Sequence, residues 1–168
     1  MRTAVIGIAF VLLSSVLLFA QADVIAPDWV LVSHPLHWES PPAKLKLPIH
    51  TAPATVMVLY PDGRFASVSC YLVEHKDGNV TMSRGDGFVI RKGRWNEDNG
   101  HVITTATVVF RTVQRTSHSV ETAERVKYAV RNLKGQRRLN SPNMDSYYER
   151  LPRFSDLNEL ANLVDSRN

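Results

Sequence analysis

The sequence is poor in cysteine: Cys70 is the only one among its 168 residues. A single thiol excludes an internal disulfide framework, the usual support of small exported domains. The chain also has no Gly-x-Ser-x-Gly elbow, no phosphate-binding loop with its lysine, and no cysteine beside a general base. These absences predict a fold held by packing and hydrogen bonds, without a cofactor, and favour a non-enzymatic protein.

Long apolar runs are also scarce, with one exception at the N-terminus. Arg2 precedes an uncharged, mostly apolar stretch that ends in Ala20-Gln21-Ala22. A basic start, an apolar run and an A-x-A site are typical of a cleaved secretory signal. We expect residues 1–22 to be a signal peptide and the mature chain to begin at Asp23. The competing interpretation is an uncleaved anchor helix, but no basic cluster follows the run. The sequence therefore predicts a secreted or periplasmic protein without stable membrane insertion.

The sequence predicts three parts in the mature chain. Residues 23–53 contain six prolines and form an N-terminal arm, in which Trp29–Val32 could add an edge strand and Leu45, Leu47 and Ile49 could dock a second one. Residues 54–151 form the main β domain. Residues 152–168 contain a helix with Ser155 as its N-cap and an apolar stripe that includes Leu160 and Leu163, which we expect to pack on the sheet.

Apolar, β-branched runs separated by short turns dominate residues 54–114. In the run from Arg64 to His75, Ala66, Val68, Cys70 and Leu72 share one face, and polar residues occupy the other. Residues 120–133 fit either a helix or a strand, and we favour a strand. The sequence thus predicts a mostly β protein: an antiparallel meander of seven or eight strands that curls or closes into a small barrel.

One tripeptide, Gly93-Arg94-Trp95, resembles the Gly-x-Trp motif of lipocalin-like small exported barrels. In lipocalins this motif lies on the first strand, whereas here it ends the third or fourth run. The resemblance implies a small barrel, but the register and the ligand cavity of lipocalins do not carry over to this chain. We expect Trp95 to be structural.

Metal binding is one candidate chemistry. His34, His37 and Glu39 lie within six residues, with His50 downstream, and imidazole and carboxylate suit zinc or copper. In an extended segment containing proline, however, these side chains do not converge as they would on a helix.

Other motifs have simpler structural explanations. Arg84-Gly85-Asp86 resembles an integrin-binding tripeptide, but Gly85-Asp86-Gly87 also suits a tight turn. Asn79-Val80-Thr81 is a glycosylation sequon only in a eukaryotic cell. Cys70 lies on an apolar strand face, which predicts a buried, inert thiol.

Two function classes remain. The first is an exported binding or interaction domain for a small apolar ligand or an envelope or extracellular protein. The alternative is a hydrolase or metal-handling protein that uses the histidine-rich arm. The segment from Arg111 to Arg138 is basic, but the exported location argues against nucleic acid.

Overall fold

The computed structural model describes residues 25–40, 50–83, 87–113, 116–142 and 145–165. The predicted signal peptide, the second arm strand over 45–49 and the Arg84-Gly85-Asp86 turn lie outside these ranges. Within them the elements are a 3₁₀ turn at Pro27–Trp29, β1 Val30–His34, β2 His50–Leu59, β3 Arg64–Glu74, β4 Val80–Ser83, β5 Gly87–Asp98, β6 His101–Val113, β7 Thr116–Leu133, β8 Gln136–Asn140, β9 Tyr147–Glu149 and α1 Leu157–Asp165.

Eight of the strands close into an antiparallel barrel. Around it the order is β1, β2, β3, β5, β6, β7, β8 and β9, and β9 pairs back onto β1. The short strand β4 adds to the end of β3 beyond the β3–β5 pairing. The predicted mostly β, antiparallel fold with a short C-terminal helix is therefore confirmed. Closure removes most free strand edges, which are otherwise sticky.

One segment differs in detail from the sequence prediction, and one ambiguous segment is resolved. The expected edge strand in the arm, β1, is paired on both sides, with β2 and with β9, so it is part of the barrel wall. The ambiguous run over 120–133 is a strand, as favoured, and its Tyr128 is buried. Helix propensity is a weak signal, and here pairing with β6 from Thr116 to Ala129 and with β8 from Ala129 to Leu133 determines the structure.

Two apolar clusters lie on opposite faces of the barrel wall. Strands around the barrel contribute to the inner cluster, which fills the barrel interior at one end. Its buried members are Leu31, Met57, Leu59, Phe65, Val102, Ala106, Tyr128 and Leu139. The outer cluster joins strand residues such as Val56, Val68 and Ile90 to Leu160 and Leu163 of α1. The helix thus seals one outer side of the barrel.

Ser155 does not act as the predicted N-cap of this helix. Its hydroxyl and its backbone N–H both donate to the carbonyl of Val80, at 3.2 and 3.0 Å. The next residue, Asp156, accepts a hydrogen bond from the backbone N–H of Met82 at 3.0 Å. Both residues therefore attach the start of α1 to β4.

Gly93 and Trp95 hold the closed end of the barrel. A Cβ on Gly93 would lie 1.9 Å from the carbonyl oxygen of Thr105, so the close approach of β5 and β6 requires glycine. The indole N–H of Trp95 donates to the carbonyl of Tyr60 at 2.7 Å, and the Trp95 side chain packs against the inner cluster.

Candidate functional site

A cavity that is open to the surface lies where β3 and β5 separate. Their pairing ends at Ser69 and Val89, and β3 continues with β4 as its partner instead. The gap has a volume of about 530 Å³ and is mostly apolar. Its lining is Ser33, Pro53, Ala54, Thr55, Ser69, Cys70, Tyr71, Gly87, Phe88, Val89, Thr112 and Val113.

A second cavity of about 380 Å³ lies inside the barrel. Its lining is Thr55, Met57, Phe65, Ser67, Ser69, Arg91, Thr104, Ala106, Glu124, Val126, Tyr128, Ser141, Ser146 and Tyr148. Thr55 and Ser69 line both cavities, so the two adjoin. We call them the outer and the inner chamber. Both volumes fall within the roughly 300–1,000 Å³ of typical small-molecule sites.

The inner chamber has a polar wall. Arg91 donates through its Nε to a Glu124 carboxylate oxygen at 3.2 Å. The rings of Tyr128 and Tyr148 meet edge to face, with centroids 5.5 Å apart. Tyr128 is hydrogen-bonded to Thr104, and Tyr148 to Thr55. This wall therefore offers a cation, a carboxylate and several hydroxyl groups to a bound molecule.

Burial keeps both phenols of this wall protonated. It raises the pKa of Tyr128 and of Tyr148, because the charged phenolate would lose its hydration. The hydrogen bonds to Thr104 and Thr55 act in the opposite direction but are weaker influences. At neutral pH each phenol is a neutral group that can donate or accept a hydrogen bond.

Sequence reasoning missed the chamber residues, although a signal for them exists. Ser67 and Ser69 alternate with the apolar face of β3, and the polar face of a half-buried strand is ordinarily taken as solvent-exposed. Ser67 is instead only 5 % exposed. A serine-rich strand face inside a predicted closed barrel could have indicated a polar interior.

The three predicted metal ligands do not form one site. His34 lies on β1, with its Nε2 3.7 Å from Glu149, and its ring stacks on Tyr147. His37 and Glu39 are exposed, and Glu39 pairs with Thr51 through backbone hydrogen bonds. His50 bonds Ser40 at 3.2 Å. Within the described ranges, no group of three His, Cys, Asp or Glu side chains is placed to hold a metal.

His34 lies beside two charged side chains, Glu149 and Arg138. Burial lowers the pKa of His34, Glu149 opposes that effect, and Arg138 adds to it. Arg138 also donates to Glu149 at 2.6 Å and lies over the Tyr147 ring. These four side chains tie β1, β8 and β9 together where the barrel closes.

Cys70 is buried, as its strand face predicts, and is 7 % exposed. Burial raises the pKa of its thiol to about 12, and the negative charge of Asp156 adds to this. The thiol is therefore protonated at neutral pH and is a poor nucleophile.

Comparison with known proteins gives no assignment by similarity: no family model matches the chain, and no curated protein is significantly similar to it. The closed barrel of eight antiparallel strands is compatible with a lipocalin-like architecture. In the described part of the chain, the helices are not long and apolar enough to cross a membrane.

Proposed function

We propose that this protein is an exported, lipocalin-like binding domain that holds a small amphipathic molecule in its barrel. The observation that carries the proposal is the pair of adjoining chambers, one mostly apolar and one polar, which share Thr55 and Ser69. The export part rests on the signal-like N-terminus that ends at Ala22.

The two linings favour a ligand with two chemically different ends. Pro53, Tyr71, Phe88, Val89 and Val113 present apolar surface in the outer chamber. Removing a hydrocarbon group from water against such a surface contributes roughly 25 cal/mol per Å². A polar group of the same ligand would reach the hydroxyl and charged side chains of the inner chamber. A wholly apolar ligand would leave those groups without partners, which costs free energy.

The linings support binding more than catalysis. No histidine is among the described residues that surround the two chambers. Glu124 is already bound to Arg91, and the Cys70 thiol is protonated at neutral pH. A nucleophile with a general base in hydrogen-bond reach, which covalent catalysis needs, is therefore lacking in this lining.

Fluorescence of N-phenyl-1-naphthylamine, an amphipathic dye that brightens in apolar sites, tests the proposal. We expect saturable binding to the protein. Ser69→Trp puts an indole where the two chambers meet and should weaken binding at least about tenfold, or about 1.4 kcal/mol. The matched control is Thr107→Trp, because Thr107 is an exposed strand residue.

Near-ultraviolet circular dichroism of each variant establishes that the fold is kept. If dye binding is absent, or if Ser69→Trp and Thr107→Trp bind the dye equally well while folded, the barrel is not the binding site and the proposal is wrong.

A further inference from the structure

The longest strand, β7, has one open edge. It pairs with β6 from Thr116 to Ala129, with a register shift between Glu121 and Glu124, but its pairing with β8 begins only at Ala129. In the described part of the chain, no strand lies against the other edge of β7 between His118 and Tyr128. Backbone N–H and C=O groups along such an edge can form a ladder with another strand.

The two halves of this edge differ in how well they are protected. Glu121, Glu124, Arg125 and Lys127 place charges along the second half, and charges discourage unwanted pairing. The first half, Thr116–Val120, contains no Asp, Glu, Lys, Arg or Pro. Val120 is 60 % exposed there, among the largest exposures of any bulky apolar residue. The unprotected half is therefore the part that favours a strand partner.

We propose that a second copy of this chain pairs antiparallel with this edge of β7, with the two-fold axis at Val120. The two barrels would then share one continuous sheet. This interface adjoins the inner chamber, because Glu124 belongs to both.

The polar groups match in this register. Val120 lies against Val120 of the other copy, which covers the exposed apolar side chain. Ser119 lies opposite Glu121, and Thr116 lies opposite Glu124, so each carboxylate meets a hydroxyl donor. Because the axis is two-fold, the Ser119–Glu121 and Thr116–Glu124 pairs each occur twice, and such cross-strand pairs stabilise a sheet.

Registers with the axis closer to β8 are less favourable. Opposed residues must lie on the same face, and an axis at Glu121 sets two Glu121 carboxylates against each other. An axis at Thr122 sets Val120 against Glu124. An axis at Ala123 would place Thr116 opposite Val130, where Leu139 of β8 already pairs. Within Thr116–Glu124, an axis at Val120 thus opposes no two like charges and stays clear of β8.

Sedimentation of the protein over a range of concentrations tests for the dimer. Val120→Lys places two ammonium groups together on the axis and should weaken dimerisation at least about tenfold. Leu133→Lys is the matched control, because Leu133 is an exposed apolar residue of the same strand, 47 % exposed, at the end covered by β8. It should leave the dimer unchanged.

Disulfide trapping tests the register. In a Cys70→Ser background, Val120→Cys should form a cross-linked dimer under mild oxidation, since the two sulfurs meet on the axis. Thr122→Cys, which faces His118 of the other copy, should cross-link much more slowly.

Three results would overturn the proposal. A protein that stays monomeric at every concentration would exclude a second copy as the partner of this edge. An extended segment of another protein would then be the candidate partner. A dimer equally sensitive to Val120→Lys and Leu133→Lys would place the interface elsewhere. Cross-linking at Thr122 but not at Val120 would exclude this register.

Discussion

The two faces of the barrel wall are built on different principles. On the side that α1 covers, the outer face is packed by apolar side chains, among them Leu160 and Val68, both 0 % exposed. The inner face is packed only at one end, around Trp95 and Leu139, and is hollow and polar at the other, around Arg91 and Ser67. The outer face therefore provides much of the stability, and the inner face retains space for a ligand.

The largest test of this comparison uses two tryptophans. Trp95 packs at the filled end of the interior and donates a hydrogen bond to Tyr60, so Trp95→Ala should cost about 3–5 kcal/mol. Trp38 lies at the margin of the outer cluster, with Arg153 over its ring at 5.6 Å. Trp38→Ala should cost less, about 1–2 kcal/mol. The midpoints of urea unfolding measure both effects. Equal losses of stability in the two variants would contradict this comparison.

This expectation for Trp38 differs from what the sequence suggests. A proline-rich arm predicts a loosely attached segment, so the sequence suggests that a tryptophan in it contributes little to the free energy of unfolding. The structure instead packs Trp38 against the outer cluster, so its removal should be measurable.

A smaller effect distinguishes two neighbouring residues of β3. Ala66 faces the outer cluster and is 1 % exposed, so Ala66→Val adds methyl groups to a filled space and should cost about 1–3 kcal/mol. Ser67 faces the inner chamber, where there is room for the added bulk. Ser67→Val should change the free energy of unfolding by less than about 1 kcal/mol. Denaturant titration of both variants measures the change in the free energy of unfolding. A larger loss for Ser67→Val than for Ala66→Val would mean that the inner chamber has no room for the added methyl groups.

The smallest perturbation is a thiol reagent on Cys70. Because the thiol is buried and its pKa is raised to about 12, we expect slow labelling of the folded protein and fast labelling in denaturant. Ellman's reagent measures both rates. Fast labelling of the folded protein would show that the outer chamber, which Cys70 helps to line, opens more widely than the structure indicates.

The strand content was predictable, because period-2 alternation and turn residues are local signals. The buried face of β3 followed from Ala66, Val68, Cys70 and Leu72, and the structure confirms it. The N-cap at Ser155 was wrong, because the partner of its hydroxyl is Val80, far away in the sequence.

The candidate site could not be predicted in the same way. Arg91 and Glu124 lie on separate strands and remain partly exposed, and they meet at the inner chamber because β5 and β7 flank β6. Alternation shows that a face is polar. Whether that face borders bulk solvent or an enclosed chamber depends on which strands meet around the barrel.

The pairing of β1 with β9 has a consequence for the order of folding. Val32 and Glu149 lie more than a hundred residues apart along the chain, yet they are cross-strand partners. Bringing such distant segments together costs chain entropy before any contact repays it, so folds rich in such contacts form slowly. The local hairpins β5–β6 and β6–β7 can assemble early, whereas the β1–β9 seam must wait until both have been positioned. Until that step the chambers have no continuous wall, so ligand capacity should appear only in the last and slowest phase of refolding.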